Sequence, residues 1–320
     1  MKKTYKLITL CVLLFGGVLQ LRAQDPEFTQ FYANPLYLNP ALAGTKLCPR
    51  IGLNYRNQWP GISGTYTCFS ASYDQYVHGV KGGIGAIVFR DQAGENTLTT
   101  TGVGAIYNFI QPITKKVSIS FAMQAGIWQK AVNWDKLSFG DMIDPRTGFI
   151  NYTQEQPPAQ SSVTNFDIST GGTLTVGKFY MGAAVHHLLE PNEAFLGPTS
   201  ILPRKYTGHA GAMIPFQRND KDSYISPNIL YQQQGDFRQL NLGVYVKKEV
   251  IVGGLWYRNA DSFVILLGIE KDLFKIGYSY DVTVSKLTNA TAGSHEISLG
   301  KSFTCKKPKK KFRTYSCPSF

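Results

Sequence analysis

Past its first twenty or so residues the chain has no apolar run of the roughly 18 to 20 residues that a spanning helix requires. It also lacks any stretch of helical period longer than about two turns. Membrane residence would therefore have to use strands. Catalytic signatures are equally scarce: no serine sits in a strand-to-helix elbow, and no phosphate-cradling glycine loop precedes a helix. His186 and His187 are neighbours, which in a strand sends their side chains to opposite faces, and His78, His209 and His295 stand alone. These absences argue against an enzyme and against a metal or other cofactor. Cysteine is sparse too: 5 in 320 residues can fasten particular places but cannot build a disulfide scaffold.

At the start of the chain Lys2, Lys3 and Lys6 precede an apolar run from Leu7 to Leu19, and Ala23 is followed by Gln24. That is the layout of a secretory signal peptide over residues 1–23. Cys11 would leave with it, so no lipid anchor is expected, and Cys48, Cys68, Cys305 and Cys317 remain. Of the formal net charge of +12, four positive charges lie in the leader and seven in the last twenty residues, leaving about +1 on everything between. A near-neutral body with a basic tail over residues 304–320 does not read as a nucleic-acid binder. The tail suits acidic partners at a membrane surface, or simple solubility.

From Arg50 onward apolar residues fall at every second position. Phe274, Ile276, Tyr278, Tyr280 and Val282 alternate with Lys275, Gly277, Ser279 and Asp281, and Phe121 and Met123 alternate with Ala122 and Gln124. Runs bounded by turn residues lie near 50–58, 65–76, 79–91, 96–109, 115–130, 162–176, 178–188, 204–216, 223–233, 238–248, 250–258, 262–270, 273–286 and 294–303, about fourteen strands. Tight links such as Gly177-Lys178 and Lys271-Asp272 alternate with longer ones, notably 131–161 and 189–203. The expected fold is all-β: a transmembrane antiparallel up-and-down barrel over residues 50–303, its apolar face against the lipid bilayer of an outer membrane. The strands are too long for an ordinary soluble sheet. Tyr55, Trp59, Tyr107, Trp128, Trp256 and Tyr257, near strand ends, would supply an interfacial aromatic girdle. The other face, rich in Gly, Ser, Thr, Asn and Gln with few charges, Lys275 and Asp281 among them, would line the lumen.

Barrel closure pairs the first strand with the last, and an N-terminus delivered from the periplasm would leave both chain termini on the periplasmic side. Cys48 and Cys305 then approach each other across the closing pair, which makes them the expected disulfide, with Cys317 as rival for either partner. Cys68 lies within a strand and is expected to be unpaired. Residues 24–49 precede the first strand. Asn34-Pro35 and Asn39-Pro40 oppose a regular element there, since each proline lacks a donor and biases its predecessor away from helix. Phe28, Phe31 and Tyr32 make the segment too apolar for a free linker. An irregular segment, folded into the lumen or lying across its periplasmic mouth, satisfies both facts.

The run "DPEFTQFYANPLYLNPALAGT" (25–45) resembles the N-terminal signature of the PorP/SprF family of type IX secretion system outer-membrane proteins. So do "LNYRNQWPGI" (53–62), "ASYDQYVHGVKGGIGAIVFRDQAG" (71–94), "WDKLSFGDMIDPRTGF" (134–149), "GSHEISLG" (293–300) and the terminal "CPSF" (317–320). The resemblance spans the chain. It implies a non-enzymatic barrel that binds a secreted surface protein, such as a gliding adhesin, through its type IX C-terminal sorting domain, and supports its secretion and attachment. Alternatively, it implies a core machinery component that contacts periplasmic ring lipoproteins. A porin-like channel is the further alternative. For a protein partner the loop 131–161 offers the best surface: Trp134, Phe139, Met142, Phe149 and Tyr152 as apolar anchors with Asp141, Asp144 and Arg146 as polar ones.

Overall fold

The computed structural model describes residues 24–305 apart from 145, 151, 198, 218–222, 260 and 285–291; the expected leader, the basic tail and Cys317 lie outside the described residues. Its antiparallel barrel strands are β1 (Arg50–Gln58), β2 (Tyr66–Val77), β3 (Gly82–Ala93), β4 (Leu98–Pro112), β5 (Val117–Val132), β6 (Ser162–Val176), β7 (Phe179–His186), β8 (Lys205–Ala212), β9 (Tyr224–Gln234), β10 (Phe237–Lys248), β11 (Ile251–Arg258), β12 (Ser262–Lys271), β13 (Phe274–Thr283) and β14 (Ser294–Ser302). Each strand pairs with its sequence neighbours, and β1 pairs with β14 from Arg50↔Ser302 to Gln58↔Ser294, so fourteen strands close into a barrel with no free edge. The strands alternate as their sequence dictates. On β12, Phe263, Ile265, Leu267 and Ile269 point outward and stay about half exposed, while Val264 and Leu266 point inward and are buried. A girdling surface of Leu, Ile, Val and Phe on this scale fits lipid and not water.

The strand bounds follow the alternation closely, with one instructive displacement. Strand β3 starts at Gly82 because His78–Val80 form a 3₁₀ turn closed by Lys81 in the left-handed region (φ 51). The long connections 133–161 and 187–204 open at the mouth reached by the C-terminal ends of β5 and β7, here termed the loop mouth. Loop length is nonetheless an imperfect guide to sidedness. The two-residue link 235–236 shares the loop mouth, and the longer 213–223 lies at the opposite, turn mouth. Cys48 and Cys305 form a disulfide at the turn mouth with Cα atoms 5.4 Å apart, and Cys68 is free and buried.

Part of the aromatic girdle expected from sequence is corrected. Tyr107 and Tyr257 do face outward, but Trp256 is 3% exposed inside the lumen, packed on Phe31 and Tyr245, and Trp128 also points inward, beside Phe89. Parity decides it: Trp256 falls between the outward-facing Leu255 and Tyr257. Gly243 and Gly102 leave the room, for a Cβ at either would collide with the indole of Trp256 or Trp128.

Candidate functional site

The lumen is occupied by the chain's own N-terminal segment. Its two Asn-Pro pairs start single helical turns, α1 (Pro35–Leu38) and a 3₁₀ turn at Pro40–Leu42, each with proline in the first position, where its missing N–H costs nothing. Phe31, Tyr32, Leu38 and Leu42 pack on Tyr180, Leu230, Tyr245, Val252, Trp256, Val264 and Leu266 of the wall, and Leu36, Ala41 and Ala43 pack on Ile87, Ile106 and Ala122. Phe28 joins Cys68 and Phe89. Of the two placements expected for this segment, the structure has the luminal one.

Hydrogen bonds fix it to every side of the wall. Thr29 N donates to Glu296 (2.5 Å), Thr29 Oγ1 to Asp281 (2.7 Å), and Gln30 Nε2 to the Glu296 carbonyl (3.0 Å). Arg56 pairs with Asp281 (2.8 Å) and Glu296 (3.5 Å) and also donates to Thr29 Oγ1. On the opposite side, the Asn39 amide donates to the carbonyls of Gly172 and Ala183 (3.2 Å each), and Asn108 donates to the carbonyls of Ala41 and Ala43 (2.7 Å each). Asn34 is 1% exposed and lies near Ser70. Buried charges of this kind persist only when paired and hydrogen-bonded. Here part of the pairing comes from the segment itself.

The direction of the segment corrects a second expectation. Asp25 N donates to Gln234 (2.8 Å), and the Asp25 carboxylate meets His187 Nε2 (2.9 Å) and Lys205 Nζ (3.7 Å), all at the loop mouth. Burial disfavours the Asp25 carboxylate, but His187 and Lys205 outweigh it and hold the group well below the usual carboxylate range. Gly44, by contrast, bonds Asp74 (2.7 Å) at the turn mouth, where Arg50 clamps the same carboxylate and the Leu42 carbonyl. The segment thus runs the length of the barrel, and its described start and the end of β14 lie at opposite mouths. Proximity of the first strand to Cys305 says nothing about where the residues before that strand begin.

A cavity of about 680 Å³ opens at the loop mouth, lined among others by Glu27, Tyr37, Phe89, Asp91, Trp128 and His187. The reading of His186 and His187 as residues on opposite faces fails here. Strand β7 ends at His186, His187 adopts φ 57, and both rings turn inward, with His187 Nδ1 at 2.8 Å from Asp167. At the same mouth, the loop 133–161 assembles the residues singled out from sequence only in part. The rings of Trp134 and Phe139 meet at 4.9 Å. Asp144 accepts from the backbone N–H of Arg146 and Thr147 in a short hairpin that pairs Ile143–Asp144 with Gly148–Phe149 and leaves Phe149 66% exposed, while Asp141 accepts from Thr153 and Gln154. Backbone N–H donors hold both carboxylates below their ordinary range. Tyr152 is 95% exposed. Sequence reasoning missed the luminal carboxylates and arginines other than Asp281; their inward parity, as with Arg56 between Tyr55 and Asn57, was the available signal.

A closed barrel with an apolar exterior and a lumen filled by its own leading segment defines an integral β-barrel of the outer membrane. Residues 20–300 match the family model described as type IX secretion system membrane protein PorP/SprF, and the chain belongs to that family. No curated protein matches. Among solved structures the chain is similar to the CymD monoaromatic hydrocarbon channel (11% identity, TM-score 0.48, 86% of this chain and 94% of that one) and a Pseudomonas aeruginosa FadL homologue (9%, 0.47, 87% and 96%). It is also similar to the outer membrane protein Omp33 of Acinetobacter baumannii (7%, 0.44, 80% and 99%).

Proposed function

We propose that this protein is a non-catalytic barrel that holds a secreted surface protein, such as a gliding adhesin, at the cell surface by binding its C-terminal sorting domain at the loop mouth, and so supports its secretion. Membership of a family of type IX secretion membrane proteins supports this reading. The observation that carries the rest is the filled lumen: a barrel strapped through its length by residues 25–44 is suited to holding rather than conducting. The loop mouth supplies the surface, with Phe149 and Tyr152 exposed on the loop 133–161 and a cavity opening at the same mouth. On this reading the loop mouth faces outward, and a mature chain beginning at Gln24 would present its N-terminus there. The alternative, a core component touching periplasmic ring lipoproteins, would use the turn mouth and the tail.

Affinity purification from detergent-solubilised outer membranes, with mass spectrometry of the co-purified proteins, tests the reading. One large secreted protein bearing a C-terminal sorting domain should be recovered, and deletion of residues 141–149 should abolish its recovery while the barrel stays heat-modifiable on gels. Recovery of ring lipoproteins alone would favour the alternative.

A further inference from the structure

The loop-mouth cavity is lined by two carboxylates, Asp91 on β3 and Glu27 of the N-terminal segment, that hold no salt bridge among the described residues. The cations of the same wall are already engaged: Lys130 with Glu193 (2.7 Å), Lys205 with Asp25 (3.7 Å) and over the Tyr37 ring (5.1 Å to its centroid), Arg56 with Asp281 and Glu296, and Arg258 with Asp261 (3.1 Å) and Asp281 (3.5 Å). Arg238 stands exposed at the rim.

Around the carboxylates the wall is aromatic. Tyr37 stacks on Phe89 with centroids 5.5 Å apart, and Phe89 meets Trp128 at 5.9 Å. Gln124, 5% exposed, contributes to the same wall. Carboxylates without a salt-bridge partner beside aromatic rings are what a guanidinium or ammonium group on an apolar stem requires: charge partners, and rings that pack on its methylenes. A cavity of about 680 Å³ has space for such a side chain together with the backbone that carries it.

We propose that this cavity receives a cationic side chain, an arginine or lysine projecting from a polypeptide, with Asp91 and Glu27 as its charge partners and Tyr37, Phe89 and Trp128 as its packing wall. Only the identity of the polypeptide rests on the docking reading above; the cavity's choice of a cation does not.

The test is titration of the purified full chain in detergent, followed by tryptophan fluorescence or calorimetry, with two capped tripeptides: acetyl-Gly-Arg-Gly-amide and the same peptide with uncharged, isosteric citrulline. The arginine peptide should bind at least tenfold more tightly. Asp91→Asn and Glu27→Gln should each weaken it about tenfold, while Asp272→Asn, at the turn mouth, should leave it unchanged. Heat-modifiable migration establishes that each variant keeps its barrel. Equal affinity for the two peptides, or arginine binding indifferent to both variants, would overturn the proposal. Tighter binding of free spermidine than of the peptide would overturn its polypeptide part. Failure of the membrane pull-down with intact, Asp91-dependent peptide binding would remove the secretion reading and leave the cation site standing.

Discussion

Loosening the N-terminal segment should open the barrel. Phe31 is 5% exposed and meets Trp256 at 5.0 Å, edge to face, in one luminal cluster; Leu36 is 0% exposed in another, against Ile87 and Ile106. Truncating a buried Phe to Ala costs about 3 to 5 kcal/mol and a buried Leu to Ala about 2 to 5. The two side chains share no cluster partner, so their effects should nearly add. Phe31→Ala with Leu36→Ala should therefore weaken seating by at least about 5 kcal/mol, a shift of more than about a thousandfold between seated and released segment. In planar bilayers the native protein should be silent, the double variant should show intermittent openings, and a chain lacking residues 25–45 should conduct steadily. Steady conductance by the native protein, equal to that of the truncated chain, would refute the reasoning.

Three further outcomes follow from local geometry. Gly44→Ala should lower thermal stability by more than about 1 kcal/mol, because φ is +67 and a Cβ would lie 2.3 Å from Gly83 Cα; an unchanged midpoint of heat-modifiability would contradict this. Replacing Cys48 and Cys305 by serine releases a cross-link spanning 257 residues and should cost about 2 to 5 kcal/mol, seen as a lower midpoint in heat titration on gels. In the loop 133–161 the lowered carboxyl groups of Asp141 and Asp144 stabilise local structure above the unfolded carboxylate pKa of about 4, and that contribution disappears as pH falls through the depressed folded values. Amide exchange at Arg146, Thr147 and Gln154 should therefore be protected at neutral pH and lose protection below about pH 4; protection unchanged in acid would show that these carboxylates do not hold the loop.

The barrel itself is legible in the sequence because strand side chains alternate with a period of two, so Phe263 to Ile269 on β12 and Phe274 to Val282 on β13 announce their outward faces. Parity does not say what an inward position will meet. Trp128 and Trp256 read as girdle residues near strand ends, yet they fill the lumen because glycines on the adjacent strands make room and the N-terminal segment supplies partners. The path of that segment was hidden for a related reason. Its anchors, Asp25 on His187, Thr29 on Asp281 and Gly44 on Asp74, join residues up to 252 positions apart, and nothing in the local sequence encodes such pairs. His187 turned inward through a single left-handed residue, which alternation cannot foresee.

The most direct measurement is photo-crosslinking in intact cells from a benzophenone amino acid placed at Tyr152, the most exposed aromatic of the loop mouth. A holder of secreted cargo predicts one dominant adduct with a large surface protein, formed through its C-terminal sorting domain and lost when the deletion of residues 141–149 is combined with it. Adducts only with periplasmic ring lipoproteins would place this mouth on the inner side of the membrane and contradict the account.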